Sequence, residues 1–384
     1  MPPPLSPPVL DSRSPYERSE GLSFLPLSIP SPPEDWRSID FGRWLASTFG
    51  WEFAESWRIA TYALLILVGI VLATAWVNSR LKARGAEPGV VLDVIIFAVP
   101  LGLVGARAYH VLTHLGDYFY EGSNPWNPLQ PGSVWAIWEG GNAIIGSLIG
   151  GAIGAYIGCR VTGLRFWTFA DALAPAILLA QVIGRLGNYV NHELFGLPTD
   201  LPWGLEIPSP NPAIPVGLPE GTLFHPTFLY EMIWNTVGIV FLLTMERQFR
   251  LQRRRIAGLS IVVPVGDAQP RLQWGKVWAL YLVWYGVGRV IFESIRIDPS
   301  EVFFGIRANV WGAFALIVIG VVLYLVQRRR HPGLEPSPYV PGREWVPGGA
   351  VDSDETYSDS DDPSDEAATE PELAATSGSQ TPTS

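Results

Sequence analysis

Cysteine occurs once in 384 residues, at Cys159. No internal disulfide can hold this chain, so its stability must come from packing. That thiol closes an apolar run and reads as buried filling rather than as a nucleophile. Histidine is scarce as well: five residues, with no ligand spacing, so neither a metal site nor a cofactor is expected. Only 16% of the chain is charged against 48% hydrophobic, which excludes an ordinary soluble domain. Lysine and arginine are missing altogether from two long stretches, 114–134 and 186–225. The opening Met-Pro-Pro-Pro-Leu-Ser-Pro-Pro lacks the basic start and apolar core of a cleavable signal peptide. Nucleic-acid binding finds no support either, because the basic clusters are short loops between apolar runs.

What is present is a series of apolar runs long enough to cross a bilayer, near 57–78, 90–113, 135–158, 167–187, 226–246, 276–296 and 308–327. Tryptophans at their ends (Trp57, Trp76, Trp135, Trp167, Trp278) fit the aromatic belt of a membrane protein. Pro100 and Pro175 are tolerable inside such helices. The expected fold is an all-α polytopic membrane protein with about seven transmembrane helices. Arg80, Lys82 and Arg84 follow the first run, Arg160 and Arg165 the third, Arg247 to Arg271 the fifth, and Arg328 to Arg330 the seventh. The positive-inside rule then puts the N-terminus outside and the C-terminus in the cytoplasm.

Three regions follow. Residues 1–56 form a Pro-rich segment whose aromatic stretch 36–53 suits an interfacial helix. Residues 57–330 form the membrane domain, with an extracytoplasmic segment at 197–224. Residues 331–384 carry 12 acidic side chains against Arg343 alone, a net charge of −11 that leaves the remainder near +1. That composition is expected to be disordered.

Polar residues cluster toward the outer ends of the runs. Gly184 to Gly196 reads Gly-Arg-Leu-Gly-Asn-Tyr-Val-Asn-His-Glu-Leu-Phe-Gly, an arginine, two asparagines and a glutamate where unpartnered polar groups are costly. The third run carries Gly146, Gly150, Gly154 and Gly158 at spacings of four, a bare face for close helix packing. Glu139, Gly140, Gly141 and Asn142 precede that series, and free amides at a Gly pair suit an oxyanion. Arg289, Glu293 and Arg296 share one helical stripe. A plain ion pair is one reading of it; anion binding is the other. With Arg185 and Arg107 the outer ends hold guanidinium groups from three helices, and guanidinium matches phosphate. A phosphate-bearing lipid is the indicated ligand.

Gly184 to Gly196 resembles the signature of bacterial prolipoprotein diacylglyceryl transferases. Tyr62 resembles that family's N-terminal tyrosine, Trp138 to Gly150 its Gly-Gly segment, and His225-Pro-Thr-Phe-Leu-Tyr230-Glu231 the start of its fifth span. Arg289, Glu293 and Arg296 resemble its late arginine segment. The likeness covers roughly 57–330 in the same order. It implies an enzyme of the bacterial cytoplasmic membrane that moves the diacylglyceryl group of phosphatidylglycerol to the lipobox cysteine of a prolipoprotein, releasing glycerol phosphate. The partners implied are that lipid, the precursor's signal peptide and the surrounding bilayer.

This reaction needs positive charge for a departing phosphate monoester, which points to Arg185 and Arg289, and a base or positive field for the substrate thiol. The family's Gly-Gly segment often has histidine where this chain has Ile145. His225 is taken as the catalytic candidate for the proton, with His192, His110, Glu193 and Glu231 as substitutes. Asn188, Asn191 and Glu193 suit hydrogen bonding to Arg185 and the headgroup, as do Tyr62 and Tyr230. Arg107, Glu139, Gly140, Gly141, Gly196, Glu231, Glu293 and Arg296 complete the candidate substrate-binding set. Two other readings stay open. An inactive lipid-binding scaffold is favoured by Ile145. A small transporter would need polar sites near the midplane and repeated halves, which the chain lacks.

Overall fold

In a computed structural model, the residues described are 28–52, 57–120, 122–128, 130, 132–137, 140–141, 143–247, 250–256, 259–265, 272–298 and 300–346. Glu139, Asn142 and the acidic stretch 347–384 lie outside them. The chain is mostly helical: α1 (Phe41–Phe49), α2 (Thr61–Ala83), α3 (Val90–Thr113), α4 (Leu115–Tyr118), α5 (Ile144–Thr162), α6 (Phe166–Asn191), α7 (Thr227–Arg247), α8 (Lys276–Ile295) and α9 (Ala308–Arg330). Six of these, α2, α3, α5, α6, α7 and α9, are long and apolar enough to cross a membrane. The protein is a multi-pass membrane protein. The sixth expected run forms α8 with nearly the expected bounds, but it is not among those six; it is the helix that carries Arg289 and Glu293.

Among the described residues, three two-stranded antiparallel sheets interrupt the all-helical expectation: β1 (Ser38–Ile39) with β2 (Ile59–Ala60), β3 (Arg250–Ile256) with β4 (Leu259–Val265), and β5 (Val302–Phe303) with β6 (Ile306–Arg307). The third run also differs from its expected start at 135. Gly140 and Gly141 have φ of 94° and 69°, conformations that end a helix, and α5 begins only at Ile144. Residues 132–137 and 140–141 therefore form an irregular approach to the helix.

Half of α6's apolar window is buried, against 17% for α2 and α9, which makes α6 the central helix and leaves the other two facing lipid. Ala174, Leu178, Leu242, Val277 and Tyr281 form the core between α6, α7 and α8. The glycine series of α5 packs as its spacing requires. A Cβ on Gly146, Gly150 or Gly154 would strike the backbone carbonyls of Gly105, Leu101 or Phe97 on α3. In lipid, where apolar side chains gain little by meeting, that close approach is what binds the pair.

The long helices alternate in direction and so give the bundle two polar ends. One, the basic end, holds the ends of α2, α5, α7 and α9. There Arg80 donates to both carboxylate oxygens of Glu246 at 2.9 Å and to the carbonyls of Asp171 and Ala172, while Arg84 reaches Glu246 at 2.6 Å and Thr168 O at 3.2 Å. Asp171 accepts the backbone N–H groups of Gly275 and Trp278, capping the first turn of α8 from another helix. Residues 331–343, counted with the acidic tail on composition, pack here. Arg165 donates to Ser337 O and Tyr339 O, Glu335 accepts from Thr168 and Trp274 N, and His331 stacks on Trp274 at 4.1 Å. The other end, the signature end, holds the residues discussed next.

Candidate active site

The last turns of α6 deliver the signature. Arg185 pairs with Glu231 on the first turn of α7 and donates to Asn188 Oδ1 at 3.1 Å. Asn188 is buried. Tyr62, one residue into α2, lays its ring directly on Gly187, where no Cβ could fit. Arg185, Asn188, Glu231 and Tyr62 thus come together from three helices. Asn191 donates to the exposed Glu193 at 3.3 Å, a separate contact on the solvent side of the turn.

The turn after α6 is tightly held. His192 and Leu194 have φ of 57° and 58°, reversing the chain so that 195–197 runs between two neighbours. Gly196 N donates to His225 O at 2.9 Å, Leu197 N to Ile295 O at 2.8 Å, and His225 N to Leu197 O at 3.0 Å. A Cβ on Gly196 would lie 2.7 Å from His225 Cβ and 3.0 Å from Ile295 O, so only glycine fits. Thr227 closes the lacing by donating to Leu194 O. His225 Nδ1 sits 3.2 Å from the Tyr230 hydroxyl, which also accepts Trp203 Nε1 at 3.1 Å.

The late stripe forms a second charged node beside the first. Glu293 has no exposed surface and pairs with Arg289 at 3.0 Å, Arg296 at 3.6 Å and Arg307 at 3.5 Å, while Asn309 donates to it at 2.9 Å. Arg296 is further held by both oxygens of Asp298, at 2.7 and 2.9 Å. Gly196, just after the signature turn, bridges Arg296 at the end of α8, which sets the second node beside the first. Three buried or half-buried guanidiniums around Glu293 leave it with local positive excess. The side chains of Arg185 and Arg289 remain 17% and 20% exposed, which leaves them reachable by a ligand. Among the described residues, Glu231 Oε1 is buried without a hydrogen-bond partner.

Arg107 does not join this cluster. Its guanidinium donates to Ser133 O at 2.7 Å, Val134 O at 2.9 Å, Gly140 O at 2.7 Å and Gly141 O at 3.2 Å, and lies 5.1 Å over the Tyr118 ring. It orders the approach to α5. Gly140 and Gly141 thereby offer carbonyls to an arginine. Ile145 is half exposed at the start of α5.

His192 turns away from the charged nodes. It is 2% exposed, with Arg37 at 2.6 Å from Nδ1 and with Pro32 O and Ser31 Oγ both at 2.9 Å from Nε2. Burial lowers its pKa, and neutral imidazole suits this role: Nε2–H donates to Pro32 O and Nδ1 accepts from Arg37. The segment from Ser28 onward is thereby fastened over the signature turn, with Ile29 bridging Gly204 and Glu206 and with Tyr189 donating to Pro30 O at 2.7 Å.

Sequence reasoning missed Arg307, Asn309 and Asp298. Arg307 carried a signal, since it stands at the arginine-poor end of its run, against the charge alternation. A basic residue misplaced for topology has another partner to satisfy, here Glu293.

A family model for prolipoprotein diacylglyceryl transferases matches residues 51–326. The chain belongs to that family. It is 61% identical over 331 residues to a phosphatidylglycerol–prolipoprotein diacylglyceryl transferase of Leifsonia xyli subsp. xyli (strain CTCB07), covering 86% of this chain and 90% of the relative. Proteins of the same name from Rhodococcus jostii (strain RHA1) and Bifidobacterium longum (strain DJO10A) are 38% and 40% identical over 306 and 280 residues. These cover 77% and 70% of this chain, and 73% and 80% of the relatives. The diacylglyceryl transferase match contains both charged nodes, whereas the clamp on His192 from residues 31–37 lies before it.

Proposed function

We propose that this chain transfers the diacylglyceryl group of phosphatidylglycerol to the lipobox cysteine thiol of a prolipoprotein in the bacterial cytoplasmic membrane, with the signature end outside and the basic end in the cytoplasm. The observation that carries the reading is the pair of reachable guanidiniums, Arg185 and Arg289, each anchored by a buried carboxylate, within the span that matches the family model. In the reaction the substrate sulfur forms a bond to the terminal glycerol carbon as that carbon's bond to the phosphate oxygen breaks. The thiol proton passes to a base and glycerol phosphate leaves with the bonding electrons.

Arg185 and Arg289 stabilise the charge that gathers on the leaving phosphate. Preorganised donors of this kind are worth about 2.7–4 kcal/mol each in a water-poor site. Glu231, Glu293 and Asn188 hold them in place, so little reorganisation is needed as charge develops. Arg296 holds the stripe through Glu293 and Asp298, and Gly196 with Tyr62 sets how the signature packs. His225, with Tyr230 on its Nδ1, is the residue we assign to the thiol proton. Asn191 and Glu193 meet the headgroup or the precursor from the solvent side, and the 197–224 segment covers the site. Arg107 acts through the Gly140–Gly141 approach. Arg80, Arg84 and the other arginines of the basic end set orientation as well as packing.

Vesicles of phosphatidylglycerol labelled in its diacylglyceryl group, incubated with the purified protein and a synthetic lipobox peptide, test the reading. Thioether-linked product with stoichiometric glycerol phosphate is expected. Lipid binding by folded protein without either product would support the scaffold reading in its place.

A further inference from the structure

The β5–β6 hairpin joins α8 to α9 and turns at Phe304-Gly305, with Phe303 paired to Ile306. Both turn residues have positive φ, 51° and 76°, the pattern of a two-residue turn that favours Asn-Gly or Asp-Gly. Phenylalanine is a poor choice there on two counts. A bulky side chain resists the left-handed region, and this one is 96% exposed. The strands around it add Val302 and Phe303, both more than half exposed, and 302–306 contains no charge.

Nothing in the fold of the described residues covers this tip, but what adjoins it identifies the covering medium. Trp311 on α9 donates its indole N–H to Phe303 O at 3.1 Å. From Trp311 the exposed apolar stripe continues through Phe314 and Val318, at i, i+3 and i+7, along the lipid-facing helix α9. The tip is therefore an extension of a lipid-facing surface, beginning at a tryptophan of the kind that sits at headgroup level. The other end of the hairpin reaches the active site. Arg307, the last residue of β6, pairs with Glu293 and donates to the carbonyls of Glu293, Arg296 and Asp298.

We propose that the Val302–Arg307 hairpin is a membrane anchor. Phe303 and Phe304 insert at the boundary of headgroups and acyl chains in the outer leaflet, and the hairpin places the lipid's entry beside Arg289. This rests on the lipid-substrate reading above for its consequence, but not for the insertion itself. A strained, exposed phenylalanine is disfavoured in water, whereas in the interface its ring leaves water and is stabilised by burial.

The single cysteine permits a direct test, because Cys159 is 1% exposed and leaves an introduced thiol to be labelled selectively. Full-length Phe304→Cys in phosphatidylglycerol vesicles, carrying a nitroxide label, should be relaxed by oxygen and shielded from an aqueous nickel chelate. Val216→Cys, on the fully exposed part of the 197–224 segment, should show the reverse. A label at 304 as open to nickel as the one at 216 overturns the proposal. So does one shielded only after lipobox peptide is added, which would assign the tip to the precursor. This readout holds even if the parent transfers nothing. For the kinetic consequence, Phe304→Asn supplies a residue the turn prefers. Its unfolding midpoint should equal or exceed the parent's while KM for vesicle lipid rises several-fold at nearly unchanged kcat. An unchanged KM would contradict the role in lipid entry.

Discussion

Two buried arginine–glutamate networks sit at opposite ends of the same bundle, and they are built differently. At the basic end both oxygens of Glu246 accept hydrogen bonds, and Arg80 and Arg84 also donate to the carbonyls of α6. Their side chains are at most 10% exposed. At the signature end Arg185 and Arg289 are about twice as exposed, and Glu231 Oε1 lacks a hydrogen bond. A saturated network ties helices together; an incompletely saturated one, with reachable cations, holds geometry ready for an anion. In a membrane protein buried charge serves either purpose, and donor accounting separates them.

The largest expected effect is on folding. Glu246→Ala strips two buried arginines of their acid and should cost about 3–5 kcal/mol of stability, read as a lowered unfolding midpoint. Transfer per folded molecule should stay near the parent's. Almost as large but opposite in kind, Arg185→Ala and Arg289→Ala should each lower kcat/KM for transfer by about 2.7–4 kcal/mol, with smaller losses of stability. Loss of activity per folded molecule in Glu246→Ala would erase the distinction between the two ends.

Gly196→Ala should cost about 1–3 kcal/mol of stability through overpacking. The added methyl must displace His225 or the Ile295 carbonyl, so transfer should fall with it, as thermal unfolding and single-turnover assays together would show. Smallest is a pH effect at His192. Its folded pKa is lowered by burial, so the unfolded state takes up the proton first, near pH 6.5. Stability from this group is full above that pH and is lost as pH falls toward the folded pKa. His192→Gln should flatten that limb of the stability profile while the neutral-pH midpoint changes little.

The apolar runs located the long helices, and for α3 both bounds agree, because an apolar stretch of this length, broken by charge only at Asp93 and Arg107, has few alternatives. The glycine spacing of α5 was equally legible, since bare backbone at every fourth position demands a close neighbour. Arg185, Asn188, Glu231, Arg289 and Glu293 are recognisable in sequence as polar groups in an apolar setting, and they meet in two neighbouring nodes, Arg185 with Asn188 and Glu231, and Arg289 with Glu293. Arg107 looked the same in sequence yet serves carbonyls 26 to 34 residues away; which way a helix faces depends on partners that periodicity alone does not name. The helix start at Ile144 was hidden because Trp135, Ala136 and Ile137 prolong the apolar run across a glycine pair. The clamp of Arg37 on His192 joins residues 155 apart, and no local pattern announces it.

The most direct test of the contrast between the ends is transfer and thermal unfolding measured on the same preparations of parent, Arg289→Ala and Glu246→Ala in phosphatidylglycerol vesicles. Arg289→Ala should remain folded and lose transfer, while Glu246→Ala should unfold earlier with a folded fraction that still transfers. Transfer at the parental rate by folded Arg289→Ala would contradict that contrast.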